Sequence, residues 1–203
     1  MKKLSFILAV LLMLAALPAA AAPEPIGDDV NAMLPAFDSL IRILLDDDAV
    51  YDPRDPDFFW NAVYLMAVNW KTFDPDAEIS EDWVSLILPL QTVQEMVTAL
   101  FADYYGLPDV PESMSGAVSY DEPQGVYYFT LSDAGEAFSQ IDGVVNSNDG
   151  LMTIIVLFLA YGESDDAEVL GQFEFTVQPN DYAAEFTETE FRYSVVSASK
   201  SAD

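Results

Sequence analysis

The sequence contains no cysteine and no histidine among its 203 residues. Without cysteine the chain can form no disulfide bond, thiolate nucleophile, cysteine-ligated zinc site or iron–sulfur cluster. Without histidine it can supply no imidazole base, no Ser-His-Asp triad and no histidine-bound zinc or haem. Any chemistry would depend on carboxylates, hydroxyls, lysine or a cation that prefers oxygen ligands. We therefore expect a protein that is not an enzyme.

Basic residues are also scarce. The chain has 7 Lys and Arg but 35 Asp and Glu, which gives a net charge of −28. Nucleic-acid binding releases counterions through Lys and Arg, and the few present here form no basic stripe. Anionic membrane surfaces are disfavoured for the same reason. Cations and proteins with basic faces remain as electrostatic partners. With 52% hydrophobic residues the chain is apolar enough to fold. We therefore expect the acidic residues to lie on the surface of a folded protein.

The N-terminus has the layout of a bacterial secretory signal peptide. Lys2 and Lys3 precede an uncharged apolar stretch, and Pro18 and an alanine run follow it. The apolar stretch is shorter than the roughly 20 residues that a membrane span needs. We predict a signal peptide at 1–21, whose removal leaves 5 basic and 35 acidic side chains, a net charge of −30. The mature protein is expected to be periplasmic or extracellular, without stable membrane insertion.

Helical periodicity dominates the first half of the mature chain. Apolar residues at i, i+3, i+4 and i+7 predict a helix from Phe37 to Leu44 that stops near three successive Asp residues. A second helix is predicted to start at Asp55 and Pro56 and is apolar nearly all round, which is typical of an enclosed helix. A third is predicted over 93–104, ending at Gly106. Between them, the acidic segment after Ser80 predicts a short helix over 80–87.

The period becomes alternating after about residue 107, which indicates strands. A hairpin is predicted from two short apolar runs around an acidic turn, followed by one or two helical turns over 132–141. The continuous apolar run at 151–161 predicts a central strand that is covered on both faces, or covered on one and shielded on the other. The predicted strands are 118–120, 126–131, 151–161, 173–177 and 188–197.

Helices first and antiparallel strands afterwards predict an α+β fold. We expect an N-terminal layer of about three helices packed on a C-terminal, mainly antiparallel sheet of about five strands. Each half alone is small, so 22–203 is predicted to be a single domain with one core. Residues 22–27 are expected to be a flexible stub and 199–203 a flexible tail.

The acidic residues offer two candidate sites. Asp46, Asp47 and Asp48 are a candidate cation cluster, because calcium binds carboxylate oxygens; the alternative is a solvated helix stop. Glu174 and Glu190 lie at outward positions of two predicted strands, and a spaced carboxylate pair could hydrolyse a glycoside. No catalytic residue, cofactor or ligand-binding residue is predicted beyond these, although calcium remains possible.

The second helix contains three successive aromatic residues, Phe58, Phe59 and Trp60, which are predicted to pack in the core, with a sugar-binding face as the alternative. An acidic cleft lined by Trp60, Tyr64 or Trp70 would favour a glycan-acting enzyme. The leading functional hypothesis is an exported, non-enzymatic binding module whose partner is a protein or a glycan and not a nucleic acid. The alternatives are a calcium-dependent structural or adhesive protein and a glycan-acting enzyme that uses carboxylates.

Overall fold

The helices of the first half lie where apolar residues recur at helical spacing. The structure is a computed structural model, and it describes residues 26–46, 48–71, 77–104, 106–133, 135–146, 150–161, 167–185 and 189–201. No helix within these ranges is long and apolar enough to span a membrane. The helices are α1 (Asp28–Asn31), α2 (Leu34–Leu44), α3 (Pro56–Trp70), α4 (Leu90–Leu100) and α5 (Asp181–Glu185), and a 3-10 helix covers Glu112–Met114.

The strands form two antiparallel sheets of four strands each. The first sheet has the order β1-β2-β4-β3 and the second has the order β5-β6-β7-β8. The strands are β1 (Glu78–Ile79), β2 (Ser85–Pro89), β3 (Val118–Asp121), β4 (Val126–Thr130), β5 (Phe138–Asn146), β6 (Met152–Tyr161), β7 (Ala167–Pro179) and β8 (Tyr193–Lys200). The predicted α+β class, with N-terminal helices and C-terminal strands, is confirmed, but two sheets stand in place of one with about five strands.

Helices α2 and α3 form as the sequence predicts. The carboxylate of Asp55 caps α3 by accepting a hydrogen bond of 3.0 Å from the N–H of Asp57, which satisfies a donor that the first turn leaves free. Pro56 occupies the first turn, where no backbone donor is needed. Helix α3 is buried over most of its circumference, in agreement with its all-round apolar composition.

The hydrophobic core includes residues from the helices and from both sheets, between Val30 and Val195. Helix α2 packs on the second sheet, where the rings of Phe37 and Phe175 are 4.6 Å apart. The segment after α4 also contacts the second sheet, since the N–H of Ala102 donates to the carbonyl of Val195 in β8 at 2.8 Å. The helical layer is thereby held to one face of the second sheet.

The predicted helix over 80–87 is wrong, because this segment contains a turn and strand β2. The carboxylate of Asp82 accepts hydrogen bonds from the hydroxyl of Ser80 and the N–H of Val84 at 2.7 and 3.3 Å. These bonds close a turn between β1 and β2 instead of capping a helix. Leu86 and Leu88 then alternate with more exposed neighbours and enter the core, as strand residues do.

The helical turns predicted over 132–141 are also wrong, because β5 begins at Phe138 and pairs with β6. Helix α4 ends at Leu100 instead of Tyr104, since Phe101 is extended and buried, with its ring stacked 4.8 Å from that of Phe59. The hairpin of β3 and β4 and the central position of β6 are confirmed.

Strand β8 starts later than the predicted 188 and continues to Lys200, within the predicted tail. The predicted signal peptide at 1–21 lies outside the described residues, as do 22–25 of the predicted stub. Both remain predictions.

Candidate functional site

The predicted cation cluster is only partly described. Asp46 and Asp48 are exposed, and the N–H of Asp48 donates to the carboxylate of Asp46 at 3.2 Å. Asp47 lies outside the described residues. In the part of the chain that the structure describes, no group of three or more acidic residues is placed to hold a metal ion. Calcium binding at these three residues therefore stays a prediction.

The predicted pair of Glu174 and Glu190 is not brought together. Glu174 lies opposite Ser199 in the ladder of β7 and β8, whereas Glu190 precedes β8 and forms an ion pair of 3.3 Å with Lys71. Tyr193 pairs with Pro179 at the far end of this ladder. At about 3.3 Å per strand residue, the two carboxylates are separated by far more than the roughly 10 Å that spans a glycosidase pair. This interpretation of the two residues is wrong.

The aromatic residues of α3 join the helix to the core and to neighbouring loops. Trp60 is fully buried, and its Nε1–H donates to the carbonyls of Pro108 and Asp109 at 3.1 and 3.2 Å. The hydroxyl of Tyr64 donates to the carbonyl of Thr130 at 2.9 Å. Trp60 and Tyr64 therefore serve as packing residues, whereas Trp70 is half-buried and its Nε1–H has no hydrogen-bond partner among the described residues.

A groove of about 530 Å³ lies between α2 and α3. Helix α2 forms one wall and α3 the other, while the connection from β4 to β5 and a residue of β6 complete the lining. The lining residues are Arg42, Leu45, Asn61, Leu65, Asn69, Ser132, Asp133, Gly135, Glu136, Ala137 and Phe158. Its volume is in the range of pockets that hold small ligands or a short segment of a larger one.

Arg42, on the α2 wall of the groove, is held by a polar network. Its Nε donates to the carboxylate of Asp38 at 2.6 Å, and a terminal nitrogen donates to the carbonyl of Ala137 at 2.7 Å. The hydroxyl of Ser139 donates to the other carboxylate oxygen of Asp38 at 2.7 Å. The guanidinium also lies 5.3 Å from the ring centre of Phe158. These contacts fix the position of the Arg42 side chain in the groove wall. Because Asp38 neutralises its charge, Arg42 gives the groove little attraction for anions.

Asn69, on the α3 wall, is the unusual residue of the groove. Its side chain is 8% exposed, and neither its Nδ2 nor its Oδ1 has a hydrogen-bond partner among the described residues. Burying an amide unpaired costs about 1–3 kcal/mol. Asn61 and Leu65 precede it at helical intervals of four, so the three residues follow one face of α3. The structure thus places a side chain with a free donor and a free acceptor beside a groove.

The rim of the groove is acidic. Asp133 and Glu136 lie in the connection before β5 and line the groove together with Ser132. The carboxylate of Asp133 also accepts a hydrogen bond of 2.9 Å from the N–H of Gly135, which shapes this connection. Neutral and cationic groups are therefore favoured in the groove over anionic groups.

No protein-family model matches this chain, and no curated protein or solved structure matches it. The groove is consequently interpreted from its own residues.

A second residue that the sequence pattern did not reveal is Trp83, at the turn between β1 and β2. It is 77% exposed and has a φ of 60°, a left-handed conformation that bulky residues rarely adopt. The turn is built by the N–H of Trp83 donating to the carbonyl of Ser80 and by the bonds of Asp82. These bonds hold the pKa of Asp82 below its usual range, chiefly through the Ser80 hydroxyl. The indole ring of Trp83 is thus exposed to solvent at a turn that also carries acidic side chains.

The sequence contained one usable signal for each missed residue. Asn69 is a polar residue between Val68 and Trp70 in a mainly apolar helix, and such a residue needs a partner when the helix is enclosed. Trp83 follows an acidic segment whose composition predicts a helix start. Neither signal identifies a site without the positions of the neighbouring elements.

Proposed function

We propose that this protein is an exported, non-enzymatic binding protein whose groove between α2 and α3 receives a neutral or cationic ligand that carries amide groups. The unpaired amide of Asn69 carries the proposal. Both polar atoms are shielded from solvent in the free protein, so the side chain must turn toward the groove to bind. A ligand amide then presents an N–H and a C=O that can satisfy its Nδ2 and Oδ1. Pairing would recover the free energy lost when Asn69 was buried alone. Peptide segments and N-acetylated sugars both offer such groups.

The chemistry of the groove supports binding instead of catalysis. The chain has no histidine or cysteine, and the single arginine of the lining is engaged by Asp38 and Ala137. The acids of the rim lie beside a groove whose α3 wall bears two amides and a leucine. Export is supported by the N-terminal sequence, which has the order of a signal peptide.

The test replaces Asn69 with leucine, which has similar volume and no polar atoms. We expect Asn69→Leu to raise the melting temperature of the free protein, since the buried unpaired amide is removed. We expect the same variant to lose binding of triacetylchitotriose or of trialanine amide, whichever the unaltered protein binds by calorimetry. Trialanine amide tests for a peptide ligand, and triacetylchitotriose tests for a glycan ligand.

Asn61→Leu is the matched control, because Asn61 lies on the same face of α3 and is more exposed. It should leave the melting temperature nearly unchanged and weaken binding less than Asn69→Leu. A loss of stability in Asn69→Leu would show that its amide is already paired in the free protein. That result, or binding that survives Asn69→Leu, would contradict the proposal.

A further inference from the structure

The outer face of the second sheet bears an apolar cluster that is separate from the core. Ser139 and Phe158 face α2, so the residues next to them along β5 and β6 point away from the helices. Leu159 is buried, at 6% exposure, yet it is not part of the core cluster. The rings of Phe138 and Tyr161 lie 5.0 Å apart beside it.

The strand register arranges this outer face in four rows. The first row contains Phe138, Leu159 and Val169, and the second contains Gln140, Leu157 and Gln172. The third contains Gly143, Ile155, Glu174 and Ser199, and the fourth contains Val145, Thr153, Thr176 and Ser197. An apolar stripe therefore runs along β6 through Ile155, Leu157 and Leu159. Apolar residues of β5 and β7 flank it in the first row, glutamines flank it in the second, and Glu174 lies beside Ile155 in the third.

Charge is nearly absent from these rows. Glu174 is the one charged residue in them, and the exposed Asp142 lies beside the third row at the bulge of β5, although the chain as a whole has 35 acidic residues. The centres of protein interfaces are depleted of charged residues and retain apolar and neutral polar groups. A solubilising coat would be expected to extend over an exposed sheet face, and here it does not. The composition is that of a face that meets another protein surface.

We propose that the outer face of the second sheet is the interface of a homodimer, in which two copies pack these sheets face to face. A second copy fits because this face carries little charge, so that two copies can meet here, whereas contact through the acidic remainder of the surface would oppose like charges. A two-fold axis near Leu157 would set the two apolar stripes against each other. This surface is distinct from the groove, so the inference does not depend on the proposed function.

The size of the face is adequate for a dimer. Three strands span the four rows and β8 joins only the last two. Spacings of about 4.8 Å between strands and about 3.3 Å per residue therefore give roughly 450 Å² before side-chain relief. A standard interface buries about 800 Å² on each partner. Interdigitating side chains add to this area, as between the layers of a β-sandwich, and place the dimer among the smaller, weaker interfaces.

The high charge gives the dimer a distinctive dependence on salt. Two chains with a net charge of −28 each repel one another beyond the contact itself, and this repulsion is screened as the Debye length falls from about 10 Å at 0.1 M salt to about 3 Å at 1 M. Salt should therefore strengthen the homodimer. Binding of a basic partner protein would show the opposite dependence, because salt screens its attraction.

The test is sedimentation equilibrium of the purified protein between 0.05 and 1 M NaCl. We expect the mass to rise from one chain towards two as salt increases. Leu157→Glu should weaken dimerisation at least tenfold, because it places a charge at the centre of the apolar stripe. Val50→Glu adds the same charge at a side chain that is 74% exposed elsewhere, and it should weaken dimerisation less than threefold.

A second variant keeps the test decisive if Leu157→Glu fails to fold by circular dichroism. Gln172→Glu changes an exposed polar side chain in the same row and should also weaken the dimer more than Val50→Glu does. A mass of one chain at every salt concentration would overturn the proposal. So would a dimer that Gln172→Glu weakens no more than Val50→Glu, since that dimer would use another face.

Discussion

The two faces of the second sheet both carry apolar side chains, but for different reasons. The inner face holds Phe173, Phe175 and Val177 at 0% exposure against the helices, so its composition follows from folding. The outer face holds Leu157 and Val169 outside the core cluster, and the packing of the core does not require them. Burial in the core therefore explains one side of the sheet, and the other side needs an explanation beyond the stability of a single copy.

The largest difference should come from removing a ring on each face. Phe175→Ala deletes a fully buried ring that contacts Phe37 and should lower the free energy of unfolding by about 3–5 kcal/mol. Phe138→Ala removes a partly exposed ring from the outer face and should cost about 1 kcal/mol. Urea unfolding in 0.05 M NaCl, where repulsion keeps copies apart, measures both. Equal losses would contradict the distinction between the faces.

A matched pair of acids gives the next largest effect. Asp38 is 1% exposed and binds Arg42 and Ser139 at 2.6 and 2.7 Å. Asp38→Asn leaves the guanidinium without its counter-charge and should cost about 3 kcal/mol in urea unfolding. Glu174→Gln, on the outer face, should change unfolding by less than about 0.5 kcal/mol. A negligible effect of Asp38→Asn would show that this network does not hold α2 to β5.

Two valines of β7 sharpen the comparison on a single strand. Val177 is fully buried, and Val169 is 56% exposed on the outer face. Val177→Ala should cost about 2 kcal/mol, since it removes buried methyl groups and leaves a cavity. Val169→Ala should stay within about 0.5 kcal/mol in 0.05 M NaCl. A cost at Val169 as large as that at Val177 would place the outer face in the core of the single chain.

The smallest effect concerns Tyr51, which joins the end of α4 to β8. Its hydroxyl lies 3.0 Å from the carbonyl of Leu100 and 2.9 Å from that of Val195. Burial, with a contribution from Asp103, raises the pKa of Tyr51 well above its usual range. A raised pKa stabilises the protein below about pH 10, the value in the unfolded chain, and this stability is lost as the pH rises further.

Tyr51→Phe should therefore cost about 1 kcal/mol at pH 7 and flatten the loss of stability above pH 10. Unfolding in urea between pH 7 and pH 11 measures both effects. Burial also raises the pKa of Tyr127, to about 12, so part of the alkaline loss will remain in the variant. An unchanged slope above pH 10 would contradict the role given to Tyr51.

Much of the helical half could be predicted because each helix buries one set of side chains at one period. Helices α2 and α3 follow their apolar spacing and their caps. The strand β5 was missed because its inward residues include Ser139, whose polarity is compensated by Asp38 of a distant helix. A bulge between Ile141 and Gly143 also interrupts its alternation.

The candidate sites were less predictable than the fold, because they depend on contacts between distant segments. The groove joins residues of α2, α3, β6 and a loop, and no local pattern brings Arg42 near Asn69. The apolar run of β6 did predict a central strand. Which side of that strand faces the helices is shown by contacts such as that of Arg42 with Phe158, and the strand alone does not contain this information.

The most direct test of the two-faced sheet is a distance between two copies. Since the chain has no cysteine, Gln172→Cys places a single nitroxide label in the same row as Leu157, and Val50→Cys places one elsewhere on the surface. In 1 M NaCl, double electron–electron resonance should give one short distance, below about 30 Å, for position 172, since packed sheets lie about 10 Å apart. A label at position 172 that shows no interaction with a second copy, at protein concentrations up to 0.1 mM, would contradict the claim.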